Sequence, residues 1–237
     1  QKWSGEEYFL QVDSHTRMIK HWDTLLKNQL ELCPSSKPIL TQYPCAFKNV
    51  SRNDRGKSDK EDWRTDKLRG GMYIKEFGKE GFFRITSDYT DEISKTPFHS
   101  TAIAAGFIFS KGSFIKDVPI DPYLYLFFGE ETDLAICAFC AGYDIFSPSI
   151  SIAFHIYERK HRNTYWELDK NSDTRKHLEI LSRFRLYVKF GMLNSKDISD
   201  EYQIILNGLD YYTPKPIRTL QQYEKIANID IKNEKKL

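Results

Sequence analysis

Residues 6–18 read EEYFLQVDSHTRM. An apolar run from Tyr8 to Val12 ends at once in Asp13-Ser14-His15. This is the pattern of a buried strand that delivers polar groups to its carboxyl end, where α/β sheets gather their ligands. In an extended backbone, residues 13 and 15 point the same way, so one carboxylate oxygen and one imidazole nitrogen can bind one divalent cation. Oxygen-plus-nitrogen ligation suits Mn2+ or a similar ion better than Ca2+. Two ligands are too few for tight binding, so a third must come from elsewhere. For the tripeptide alone the simpler reading has Asp13 capping a turn and His15 as an ordinary surface histidine.

Working outward, HWDTLLKNQLEL (21–32) sets Trp22, Leu25, Leu26 and Leu30 on one side of a helix that Cys33-Pro34 ends. KPILTQYP (37–44) is a short strand between prolines. Residues 49–69 are strongly polar and read as a mobile surface loop, long enough to act as a lid or to contact an acceptor. GGMYIKEF and GFFRIT form a hairpin around Gly78–Gly81, and STAIAAGFIFS (100–110) is a further buried strand, rich in small residues. VPIDPYLYLFFGEE (118–131) leads into a helix near Gly129. PSISIAFHIYERKHR (148–162) alternates apolar and polar residues and ends in a basic cluster. Helices follow at 174–190 and 218–228, and the charged end, 230–237, is expected to fray. Strands alternating with helices predict an α/β fold, a mostly parallel central sheet flanked by helices, in a single domain over 1–237.

Composition narrows the functional classes. Of 237 residues, 35 are basic and 33 acidic, a net charge of +2 that gives bulk electrostatics no reason to select nucleic acid or a membrane surface. No apolar stretch reaches bilayer length. Cys137 and Cys140 form a CxxC, but Leu134, Cys137, Ala138 and Ala141 share helical spacing, which turns both thiols to a core. There is no second pair to complete a zinc site and no disulfide framework, which favours a reducing, cytoplasmic setting.

Two further segments bear on Asp13 and His15. In FFGEETDLA, Glu130 and Glu131 open a helix, where acids suit the dipole; they could equally accept a sugar or acceptor hydroxyl, or act in acid/base chemistry. In IAFHIYERKHR, His155 closes an alternating run. A lone histidine there is ordinarily a satisfied core or edge residue, yet it is also the natural third metal ligand, with Arg159, Lys160 and Arg162 nearby as phosphate partners.

The segments GEEYFLQVDSHTRMIKHWD, KPILTQYP, AAGFIFSKGSFIKDVPIDPYLYLFFGEETDLAICAFCAGYDIFSP and AFHIYERKHRNTYWE, with PIRTLQQYEKIANIDI near the end, resemble successive blocks of the polypeptide α-N-acetylglucosaminyltransferase family. That family includes the cytoplasmic enzyme that modifies a hydroxyproline on the SCF ubiquitin-ligase adaptor subunit, and Golgi enzymes that start mucin glycans. The resemblance implies a GT-A fold and retaining transfer of GlcNAc from UDP-GlcNAc, with Mn2+ or Mg2+, to a hydroxyproline, Ser or Thr hydroxyl of a protein. It matches Asp13, His15 and His155 to the metal site and Glu130 and Glu131 to the acidic motif beside the transferred sugar. Arg17, Trp22 and Asp23 match first-block positions without an assigned role. Arg17 is placed with Arg159 and Arg162 on the donor side, and Trp166 where a sugar- or acceptor-facing aromatic fits. It also implies a nucleotide-binding portion ahead of residue 1, so the chain is expected to be the C-terminal part of a catalytic domain, weak in donor binding on its own. Alternatives are a polypeptide GalNAc transferase-like enzyme and a catalytically inactive binding module, and the Golgi lumen is the alternative compartment.

Overall fold

Three short segments are apolar on both sides, Ile39-Leu40, Phe107-Ile108-Phe109 and Ile145-Phe146, all buried. A strand that reads this way must be covered on both faces, and these lie inside the main sheet. The computed structural model describes residues 3–46, 68–79, 81–90, 94–157 and 172–237. In chain order its strands are β1 (Tyr8–Val12), β2 (Thr16–Met18), β3 (Pro38–Thr41), β4 (Cys45–Ala46), β5 (Leu68–Arg69), β6 (Tyr73–Phe77), β7 (Phe83–Thr86), β8 (Tyr89–Thr90), β9 (Phe98–Ser100), β10 (Phe107–Lys111), β11 (Asp144–Ser147), β12 (Ala153–His155), β13 (Ile229–Asp230) and β14 (Lys235–Lys236). The helices are α1 (Trp22–Glu31), α2 (Phe114–Asp117), α3 (Glu130–Cys140), α4 (Asp173–Lys189), α5 (Leu209–Tyr212) and α6 (Leu220–Ala227).

The main sheet runs β1-β10-β3-β11-β9. Alternation along its strands divides the core. Leu40, Phe107, Phe109 and Phe146 pack with Leu26 and Leu30 of α1 on one face. Ile39, Ile108 and Ile145 pack with α3 and with Tyr223 of α6 on the other. The result is an α/β/α layering, as expected of the class. The mostly parallel sheet is not what forms. Only β3 and β11 are parallel neighbours; β1 with β10, β10 with β3, and β11 with β9 are antiparallel. Residues 100–110, which read as one strand, instead end β9 at Ser100, turn through an irregular stretch and re-enter the sheet as β10 beyond β11 and β3, with β9 and β10 both running against those two. The parallel pair β3 and β11 is entered from α1 and α3, the helices that parallel connections use, whereas β9 and β10 have no helix immediately before them among the described residues.

A smaller sheet, β2-β12-β4, flanks the end of β1. The predicted hairpin forms as β6 and β7, with Phe83 N–H donating to Thr132 Oγ1 of α3 at 2.9 Å. The end expected to fray instead closes as the β13–β14 hairpin, with Ile231 buried and Asn228 clasping the Leu237 carbonyl through its side chain. Its apolar Ile229 and Ile231 hold down a segment whose charges had marked it as solvent-borne. The polar 49–69 stretch lies outside the described residues up to 67; Leu68 and Arg69 pair with Thr90 and Tyr89. None of the four cysteines is in a disulfide, and Cys137 is buried as its spacing predicts.

Behind α3 runs a buried chain of charges. Lys189 Nζ lies 2.7 Å from Asp133 and 3.4 Å from Asp121, and Arg185 Nε lies 2.7 Å from Asp121. Burial alone would drive the Lys189 ammonium toward neutrality, but the carboxylates of Asp133 and Asp121 overcome it and hold its pKa above the usual lysine value. Arg185 also donates to the carbonyls of Ile205 and Asn207. Three chain segments are thereby tied to α3. Removing one partner of a buried pair strands the other charge, whereas replacing both with apolar groups can be near neutral. Lys189→Met is therefore expected to cost about 3–5 kcal/mol in urea unfolding. The double variant Lys189→Met, Asp133→Leu should regain much of that loss.

Candidate active site

The chemistry-bearing residues meet around three peptide units, Ala104 to Gly106, that precede β10. Thr41 at the end of β3 fixes the first, its hydroxyl accepting from Ala104 N–H at 2.9 Å and approaching the Ala104 carbonyl at 3.2 Å. Ala105 N–H donates to Glu131 Oε1 at 3.0 Å, and Ala105 C=O accepts from Gln11 Nε2 at 2.8 Å. Gly106 C=O accepts the Asp13 N–H at 3.1 Å. A Cβ at position 106 would lie 2.9 Å from Asp13 Oδ2, so only glycine leaves that carboxylate its place.

Asp13 to Thr16 is a turn closed by Thr16 N–H on the Asp13 carbonyl at 3.1 Å, not the extended segment expected. The turn reverses β1 into β2, which pairs with β12 in the register Thr16↔His155. That pairing brings His155 Nε2 to 3.3 Å from Asp13 Oδ2. Oxygen and nitrogen ligands at right angles on one ion, with bonds of about 2.1 Å, stand about 3 Å apart, so this pair fits two positions of a cation shell. His15 stands edge-on to His155 with ring centroids 5.7 Å apart, and its Nδ1 lies 3.1 Å from Ser14 Oγ. Among the described residues no group of three His, Cys, Asp or Glu side chains is arranged to hold a metal ion. Arg17 pairs across to Phe154, which places it on the opposite face of the β2–β12 ribbon from His155. Arg159, Lys160, Arg162 and Trp166 lie outside the described residues.

Glu130 and Glu131 begin α3, as its acidic first turn predicts. Burial raises the pKa of Glu130, against the hydrogen bond from Gln11, and Asp13 and Asp133 raise it further. Burial raises Glu131 more, to about 7, opposed by the Ala105 N–H and assisted by the charges of Glu130 and Asp13. A carboxylic acid in that range can donate as well as accept a proton near neutrality.

Ahead of these acids the backbone is strained. Phe128 N–H bonds the Tyr125 carbonyl at 2.9 Å, closing a turn whose central residues, Leu126 and Phe127, have φ of 55° and 68°. Two left-handed central residues define a type I′ turn, which prefers Asn and Gly; Leu and Phe gave no hint of it. Gly129 follows with φ 78°. Phe127 is left 69% exposed. Thr41, Gln11 and Gly106 were also missed. The small residues of AAG were the one available signal, since only such residues admit close side chains against the backbone.

The model of the Glycosyltransferase (GlcNAc) family matches residues 1–233. The chain belongs to that family. Among solved structures it is similar to GalNAc-T7 with UDP, GalNAc and Mn2+, at 12% identity and a TM-score of 0.49, over 92% of this chain and 40% of that one. No curated protein matches it. No described helix is long and apolar enough to cross a membrane.

Two outcomes follow from the site's energetics. Glu131 has a folded pKa of about 7, above the ordinary glutamate value of 4.5. The native state therefore holds its proton more tightly than the unfolded chain, and stability is lost as pH rises between those values. Glu131→Gln keeps the acceptor for Ala105 N–H and removes the titration. In EDTA it should be more stable than wild type by about 2 kcal/mol at pH 8, with little difference near pH 4.5. Phe127→Gly should relieve the left-handed strain and raise unfolding free energy by about 1 kcal/mol.

Proposed function

We propose that the protein transfers GlcNAc from UDP-GlcNAc to a hydroxyl of a polypeptide, with retention at the anomeric carbon, within a GT-A-type catalytic domain. The observation that carries this reading is the contact of Asp13 with His155 in a chain of the Glycosyltransferase (GlcNAc) family. Residues far apart in sequence meet there, and Asp13 and Glu131 are both bonded to the Ala105–Gly106 peptides.

Asp13 and His155 would hold a divalent ion, Mn2+ or Mg2+, with His15 beside them; when bound, such an ion neutralises a departing diphosphate. The chain's own groups do the rest. Glu130, fixed by Gln11, lies on the Asp13 side of the site and is suited to orient the hydroxyls of the transferred sugar. Glu131, with its raised pKa, can donate a hydrogen bond to a sugar or acceptor oxygen and withdraw it as charge develops. The acceptor hydroxyl of hydroxyproline, Ser or Thr attacks the face that UDP leaves, and its proton passes to the leaving phosphate oxygen. A cytoplasmic setting is supported by the four cysteines, none of which is in a disulfide.

The test has a binding arm and a transfer arm. Mn2+ titrated into the full protein and followed by electron paramagnetic resonance should bind at one site. Asp13→Asn and His155→Ala should each weaken that binding at least tenfold, with His15→Ala intermediate. Radiolabelled UDP-GlcNAc is then offered with peptides bearing hydroxyproline, Ser or Thr and with an SCF adaptor protein. Transfer that depends on Mn2+ and is lost in Asp13→Asn is expected; equal Mn2+ affinity in His155→Ala would remove the ligand assignment.

A further inference from the structure

A cavity of about 340 Å³ opens beside Glu131, and neither Asp13 nor His155 lines it. It lies between the β6–β7 hairpin, the segment that enters α3, and the first turns of α4. Phe82, Phe127 and Phe128 form aromatic walls, Arg84, Arg175 and Glu179 are charged lining, and Glu131 is shared with the site described above. Its size is at the lower end for small-ligand sites. The Arg175 guanidinium lies over the Phe128 ring, 5.7 Å from its centroid.

Three features point to a built site rather than a gap in packing. The hairpin is anchored to α3 by the Phe83–Thr132 hydrogen bond, so the Phe82 wall does not move independently of Glu131. Gly129 is required for the approach of Phe82 and Leu186, since a Cβ there would fall 2.9 Å and 2.6 Å from their side chains. The third is Phe127. A large aromatic ring is kept at the cavity mouth in a left-handed backbone, where a glycine would cost less, and 69% of its surface is left to water. Strain of this kind persists where the surroundings impose it, and it concentrates at ligand clamps.

We infer that this cavity is the docking site for the acceptor polypeptide, and that it takes an apolar side chain next to the hydroxyl-bearing residue. This rests on the transferase reading above. Continuity with the site carries the inference: a hydroxyl brought to Glu131 leaves its neighbour in the chain facing the aromatic walls. An apolar or pyrrolidine ring gains both burial and ring-face contact there.

The experiment uses the full protein and a peptide pool with central hydroxyproline, Ser or Thr and randomised neighbours, read by mass spectrometry. Glycosylated peptides from wild type should be enriched in apolar residues at one flanking position. Phe127→Ala should erase that enrichment and raise the peptide KM about tenfold while the UDP-GlcNAc KM stays within twofold; Phe127→Trp should retain both. Enrichment that survives in Phe127→Ala, or an equal rise in both KM values, overturns the inference. The same pool passed over immobilised protein without donor separates the two readings. Peptides retained with the apolar flank but never glycosylated would refute the transfer reaction and support the docking site. Glycosylation without flank selection would do the reverse.

Discussion

Two successive peptide groups, Ala105 and Gly106, hold the two halves of this site in register. Asp13 hangs from the Gly106 carbonyl by its own N–H, and Glu131 is capped by the Ala105 N–H. Asp13 stands at the end of β1 and Glu131 in the first turn of α3, elements that the hydrogen bond of Gln11 with Glu130 also links. Had either been set by its own element alone, the distance between metal corner and acid would vary with every small shift of helix on sheet. The shared peptides remove that freedom. They are themselves held by Thr41 at the end of β3, so three strands and one helix converge on one short loop. A polar side chain with no exposure, such as Thr41, is retained only where its hydrogen bonds are satisfied, and both of these are spent on Ala104.

This arrangement explains why the site's parts differ so much in legibility. Asp13, Glu130, Glu131 and His155 stand out in the sequence as candidates because each closes or opens a periodic element, and a titratable residue at such a border is conspicuous. The helices at 22–31, 130–140, 173–189 and 220–227 were legible for the same reason, through their apolar spacing. The geometry that joins the residues was not legible. It depends on backbone carbonyls and N–H groups, which every residue carries, and on a loop that reads as a strand because its small apolar residues are buried. The strands on either side of that loop, β9 and β10, both run against β3 and β11, and the sheet is mixed rather than parallel. The Asp13–His15 turn was misjudged on the same ground: alternation assumed an extended chain, whereas a reversal into β2 is what brings His155 to Asp13.

The costs of the site are local and its supports are remote. Burial raises the Glu131 pKa to about 7, and Leu126 and Phe127 occupy backbone that favours other residues. Both liabilities fall within six residues at the entrance to α3. The same helix carries Asp133, whose buried pair with Lys189 links it to α4, while Asp121 and Arg185 tie the segment before the strained turn to the chain at 205–207. The charge network therefore brackets the strained stretch on both sides. A buried ion network adds little net stability over an apolar core, but it has few alternative arrangements of equal energy. An apolar contact could slide to let Leu126 and Phe127 relax; a lysine shared between two buried carboxylates at 2.7 and 3.4 Å cannot do so without stranding a charge. On this argument the polar core behind α3 is what keeps Phe127 at the cavity mouth and Glu131 on Ala105, and the site's geometry is set by residues that touch neither.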